Sequence, residues 1–136
     1  MTLDELVDRY CDAWSEADPA RRAALLESVW ALDATYTDPS VAGLGKVELL
    51  GHIAKVQATR PGARVRRTTV IDEHHGALRF GFAVVGADGA ILRHGTDFAV
   101  LDSKRGRIQQ VIGFFGDLAV IRDHENGPNT RRSGRP

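Results

Sequence analysis

A change of hydrophobic period at Arg60-Pro61-Gly62 constrains this chain more than any other feature. Before it, apolar residues recur at three- and four-residue steps; after it, they alternate. These are the periods of a helix face and a strand face, and neither pattern buries a continuous surface in the other conformation. In the first part, Leu3, Leu6, Val7, Tyr10, Cys11 and Trp14 form the stripe of an amphipathic helix from Leu3 to Ala17, with Asp4, Glu5, Asp8, Asp12 and Glu16 on the other face. Asp18-Pro19 supplies an N-cap and a first-turn proline for a second helix with apolar positions Ala23, Leu25, Leu26, Val29 and Trp30. The two are expected to pack as a hairpin. After a short β-prone run around Tyr36, Gly43 and Gly45 open a third helix from about Lys46 to Ala58, which turns His52 inward beside Leu49, Ile53 and Val56.

Beyond Gly62, residues Arg64 to Asp72 alternate loosely, and His74-His75-Gly76 reads as a hairpin turn into a strand from Ala77 to Val85. Leu78, Phe80, Phe82 and Val84 make its apolar face. Ala87-Asp88-Gly89 turns into a strand from Ile91 to Leu101, and Asp102 to Gly106 joins it to a last strand from Arg107 to Gly116, apolar on both faces. Three helices followed by a meander of long strands is an α+β order, with the helices on one side of a curved antiparallel sheet. A pocket between the layers would have apolar walls and a few polar groups that orient a small hydrophobic molecule. From Arg122 onward the residues are polar, rich in Gly, Pro and Arg, and without apolar period. One domain over residues 1–121 and a disordered polar tail over 122–136 are expected.

Eighteen basic residues balance eighteen acidic ones, so no net field draws the chain to nucleic acid or to a membrane. A single cysteine, Cys11, excludes an internal disulfide, and neither a signal segment nor an apolar span is visible, which predicts a cytoplasmic protein. His, Cys and carboxylates nowhere take the spacing of a metal set, and the glycine-rich pieces lack the strand-to-helix setting of a phosphate loop. Neither a metal nor a cofactor is expected.

Three polar residues stand out. Asp38 precedes Pro39, which holds it in extended backbone and lets its carboxylate project from a strand end, although Asp-Pro also starts ordinary turns. Asp97 lies inside a strand between Thr96 and Phe98, and strand interiors are depleted in aspartate. Alternation puts it with Gly95, Ala99 and Leu101 on a largely apolar face, where Arg93 is a candidate ion-pair partner. Tyr10, in the buried stripe of the first helix, needs a partner for its hydroxyl. His74 and His75 are expected in solvent.

The helix pair, the segment Asp33-Ala34-Thr35-Tyr36-Thr37-Asp38-Pro39, the third helix led by Gly45, and the ending from Leu101-Asp102 through Gly106-Arg107-Ile108 to Phe114-Phe115-Gly116 together resemble the nuclear transport factor 2-like (NTF2-like) superfamily. Within it, the chain is similar to the SnoaL-like polyketide cyclase and ketosteroid isomerase branch, over about residues 3 to 121. The resemblance implies a cone-shaped fold, three helices packed on a strongly curved antiparallel sheet, a pocket opening at one end, and a homodimer formed through the sheet. Ketosteroid isomerases use an aspartate base and an oxyanion site made of a tyrosine and a protonated aspartate. The resemblance assigns the base to Asp38, the tyrosine to Tyr10 and the second acid to Asp97. It also implies Phe80, Phe82, Val111 and Phe115 on the pocket wall, with His52 and Trp30 as further substrate-binding residues.

The function this implies is a small cofactor-independent isomerase or cyclase that moves a proton next to the carbonyl of a hydrophobic compound. The base takes the proton, and hydrogen-bond donors hold the enolate oxygen. Two alternatives use the same residues. One is a non-catalytic ligand-binding or dimerisation module; the other is an epoxide hydrolase-like activity in which Arg93 and Asp97 cooperate on an activated water.

Overall fold

The computed structural model describes residues 1–122. The tail expected over 122–136 therefore lies, apart from Arg122, outside the described residues.

Helix α1 (Leu3–Ser15) starts at Thr2, whose hydroxyl accepts from the Glu5 amide at 3.1 Å while Glu5 Oε1 accepts from the Thr2 amide at 2.7 Å. Each bond satisfies an amide that a helix start leaves unpaired. Leu6, Val7, Tyr10, Cys11 and Trp14 are buried, as their spacing predicts. Asp18 caps α2 (Pro19–Val29) by accepting from the Arg21 amide at 2.9 Å. At the corner between the helices Arg22 is buried, and it donates through Nε to the Glu16 carbonyl at 3.0 Å and through Nη2 to the Ala17 carbonyl at 3.1 Å. Those carbonyls lie beyond the end of α1, where no helical amide can reach them.

Trp30 is the first residue of strand β1 (Trp30–Asp38) rather than the end of α2: the chain passes from helix to strand without a loop. A strand that the spacing does not predict follows. Strand β2 (Val41–Leu44) turns back on β1, pairing Tyr36 with Leu44 and Asp38 with Val41 across a bulge, before Gly45 caps α3 (Lys46–Thr59). Gly43 hides β2 in the sequence, because a four-residue edge strand is set by its pairing rather than its propensity. The loose run after Gly62 also divides, into β3 (Arg64–Arg67) and β4 (Asp72–His74), both antiparallel to β5 (Ala77–Val85). Positive φ at His75 (53°) and Gly76 (81°) forms the tight β4–β5 turn. Strands β6 (Ile91–Leu101) and β7 (Ile108–Phe115) complete the set.

The strands form one curved sheet in the order β2-β1-β7-β6-β5-β3, with β4 also on β5. It is mixed rather than wholly antiparallel, because β1 and β7 run parallel. The chain makes that pairing only after α3 and five intervening strands, and side-chain alternation carries no information about the direction in which two distant strands meet.

Alternation does decide what faces the helices: Ala34, Tyr36 and Asp38 on β1, Leu78, Phe80 and Phe82 on β5, Gly95, Asp97 and Ala99 on β6, and Val111 and Gly113 on β7 are all buried. At one end of these strands Leu78, Phe80, Ala99 and Val111 join Tyr10, Trp30, Leu49 and Ile53 in a single core. Toward the other end the layers part, and a cavity opens.

Candidate active site

The cavity is about 280 Å³ in volume. Tyr10 and Trp14 reach it from α1, His52 from α3, Tyr36 and Asp38 from β1, Phe82 from β5, Asp97 from β6 and Phe115 from β7. Residue pairing explains the convergence. Asp97 is opposite Gly113 in the β6–β7 ladder, and Tyr36 and Thr37 are level with Val111 and Ile112 in the β1–β7 pair, so Asp38 arrives at the same rung from the other side. A β-carbon placed on Gly113 would lie 2.8 Å from Asp97 Oδ1, 3.6 Å from Asp38 Cβ and 3.8 Å from Tyr36 Oη. The three side chains thus meet around the space that a missing side chain leaves.

The two carboxyls have opposite surroundings. Asp38 Oδ2 accepts from Tyr36 Oη at 2.6 Å, and Oδ1 accepts from the Ser40 amide and hydroxyl, both at 2.7 Å, and from the Val41 amide at 3.2 Å. Burial pushes Asp38 up, but these bonds together outweigh it and hold the group below its usual value, as a fixed carboxylate. The same turn-forming bonds explain why Asp-Pro stands here. Asp97 is only 7% exposed, and among the described residues no hydrogen bond or ion pair reaches its oxygens. Burial, then the nearby charge of Asp38, pushes it up to about 7. Two neighbouring acids with separated affinities for a proton are the arrangement that acid–base chemistry at neutral pH requires.

The hydroxyl of Tyr10 is buried without a hydrogen-bond partner. Burial, reinforced by the charge at Asp97, raises its pKa well above the ordinary value and keeps it a donor. Its ring stacks on Trp30 at 5.9 Å, which fixes its direction. Tyr36 is raised by burial and by its bond to Asp38, so it too remains protonated. His52 packs edge-on against Trp14 at 5.8 Å and tilts toward Tyr36 at 6.4 Å.

Of the residues singled out in the sequence, Tyr10, Asp38, Asp97, His52, Phe82 and Phe115 line this one cavity. Phe80, Val111 and Trp30 do not: they lie in the core beneath it, Val111 and Trp30 at least one rung further from the mouth than Gly113, and Phe80 level with Asp97. The suspected Arg93–Asp97 ion pair is not formed either. The guanidinium of Arg93 lies over the Phe115 ring, 4.0 Å from its centroid. Tyr36 and Gly113 are among the site residues that the sequence does not single out, with Trp14, Ser40 and Arg60. Tyr36 is two residues from Asp38 on a strand and so shares its face, which the period alone could have revealed; Gly113 is defined by its cross-strand partner and carries no local signal.

No family profile matches the chain, and no curated protein matches it. Solved structures do. A candidate isomerase of the SnoaL-like family from Agrobacterium tumefaciens str. C58 superposes with a TM-score of 0.75 at 31% identity, covering 83% of this chain and 96% of its own. A candidate polyketide cyclase from Sinorhizobium meliloti gives 0.63 at 19% identity, over 82% of this chain and 94% of its own. A protein with a ketosteroid isomerase-like fold from Catenulispora acidiphila DSM 44928, solved in complex with trimethylamine, gives 0.61 at 18%, over 82% and 85%. The last two bear on the fold alone. The first shares nearly a third of its residues over almost its whole length, and with the cone-shaped architecture this chain belongs to the SnoaL-like family of the NTF2-like superfamily.

Proposed function

We propose that the protein is a cofactor-independent isomerase or cyclase that transfers a proton next to the carbonyl of a small hydrophobic compound. The observation that carries this reading is the unbonded, buried carboxyl of Asp97 facing a cavity beside the unpartnered hydroxyl of Tyr10. With a pKa of about 7, Asp97 is ionised often enough to accept a proton and acidic enough to return it. The carbon–hydrogen electron pair moves into the enolate, whose oxygen accepts a hydrogen bond from Tyr10; the proton then returns from Asp97 to a different carbon. This gives Asp97 the role of base that the family resemblance assigns to Asp38. Both oxygens of Asp38 are already occupied by donors, which lowers its basicity and leaves it the task of holding the pKa of Asp97 up.

A panel of enones, steroids and polyketide-like ketones, followed by turnover or by deuterium exchange, tests the assignment. Asp97→Asn is expected to lower the rate on any active compound by about 10²–10⁴-fold, the usual worth of a positioned acid–base group. Equal rates for wild type and Asp97→Asn would overturn it in favour of a binding module. The position of Arg93 over Phe115 weighs against the epoxide reading, which needs it beside Asp97. We also propose a homodimer formed through the outer sheet face and acting in the cytoplasm. Phe98 and Phe114 pack edge-to-face there, 43% and 56% exposed, and Cys11 is a free buried thiol. Sedimentation velocity reads the mass.

A further inference from the structure

The cavity is polarised along its length. Its inner part holds the carboxyl pair, and its mouth holds two arginines, Arg60 at the C-cap of α3 and Arg93 on β6. Some arginines of the protein are tied to carboxylates: Arg67 grips Asp8 through two bonds of 2.9 and 3.1 Å, and Arg79 holds Asp72 at 2.8 Å. Among the described residues the guanidinium groups of Arg60 and Arg93 form neither ion pair nor hydrogen bond. Arg93 is nonetheless held in place, its guanidinium carbon 4.0 Å from the centroid of the Phe115 ring, a contact that uses none of its N–H groups as hydrogen-bond donors. Between the two ends the walls are apolar, with Phe82, Val84 and Val65 among them.

From this we infer that the substrate is an apolar carbonyl compound that carries a carboxylate at the end remote from its reacting carbonyl, and that Arg93, assisted by Arg60, binds that carboxylate at the mouth. The inference rests on the cavity being the substrate site proposed above. Asp97 and Arg93 are four residues apart on one strand, roughly 13 Å at the usual rise. Side chains reaching toward each other leave a span that suits a one- or two-ring compound, as does the volume of about 280 Å³. The sign of the preference is diagnostic. The fixed negative charge of Asp38 in the same cavity repels an anion, so a site without working arginines at its mouth would favour a neutral ester over the corresponding acid.

The test uses 6-hydroxy-2-naphthoate and its methyl ester, fluorescent compounds in which a phenol stands in for the enol and only the far end changes. Each is titrated into the full chain, into Arg93→Gln and into Arg60→Gln, at low and high salt. Wild type is expected to bind the acid about tenfold tighter than the ester, as one charge-assisted bond allows, and Arg93→Gln is expected to bring the two to within about twofold. Arg60→Gln is expected to reduce the ratio by less, and high salt to shrink it in wild type. An ester bound as tightly as the acid, a ratio that survives Arg93→Gln, or no binding of the acid overturns the inference. Neither compound is turned over, so the outcome is independent of whether Asp97 carries the proton, which only the rates of Asp97→Asn decide.

Discussion

At the scale of the residue, the site depends on a side chain that is absent. Gly113 lies under Asp97 Oδ1, and the 2.8 Å that would separate them in Gly113→Ala is closer than real β-carbons approach an oxygen. The carboxyl or the strand must give way. Gly113→Ala is expected to cost about 1–3 kcal/mol of stability, as overpacking usually does. It is also expected to lower activity on the order of 100-fold, because a displacement near 1 Å at the reacting group is enough for that. Urea denaturation and rates on one active compound check both; unchanged rates would mean that Asp97 does not work from this position. Individual acids were legible in the sequence because their settings are unusual, Asp97 inside an apolar strand and Asp38 before a proline. What Asp38 does was not, because the four donors that tie it down come from Tyr36 and from a turn whose geometry no spacing encodes.

At the scale of the element, α1 aims Tyr10 and Trp14, and the corner with α2 fixes how α1 lies on the sheet. Arg22 holds that corner through the carbonyls of Glu16 and Ala17. Arg22→Leu keeps bulk but removes both charge-assisted bonds at the corner, and it is expected to cost about 1–3 kcal/mol, the usual worth of hydrogen bonds from a charged group. A urea midpoint equal to that of wild type within error would contradict it. The helices were readable because caps and stripes are local: Thr2 with Glu5, and Asp18 with Pro19, mark the starts within four residues. The sheet was less so. Strand β2 and the split between β3 and β4 exist through pairing with β1 and β5, and the parallel β1–β7 contact joins residues 75 or more positions apart. Period 2 assigns faces, and it does so correctly along β5 to β7; it does not assign neighbours.

At the scale of the whole molecule, the raised pKa of Asp97 links the site to stability. The folded protein holds that proton up to about pH 7, whereas the unfolded chain releases it near 3.8. Between those values the folded state binds more protons, so this group's contribution to stability is full below the lower value and is lost as pH rises to the upper one. The slope is at most about 1.4 kcal/mol per pH unit. Asp38 acts in the opposite sense: its pKa is lowered on folding, and its contribution, present above the unfolded value, is lost only in stronger acid. Asp97→Asn is therefore expected to match wild type near pH 4 and to be more stable at pH 8 in urea titrations. Activity that depends on ionised Asp97, as proposed, should rise through the same upper value as stability levels off.

The carbon-13 chemical shift of the Asp97 carboxyl, followed against pH, tests that claim most directly. The midpoint is expected close to 7 in wild type and lower in Asp38→Asn, where the neighbouring charge is removed. A midpoint near 4 in wild type, or one indifferent to Asp38→Asn, would contradict it.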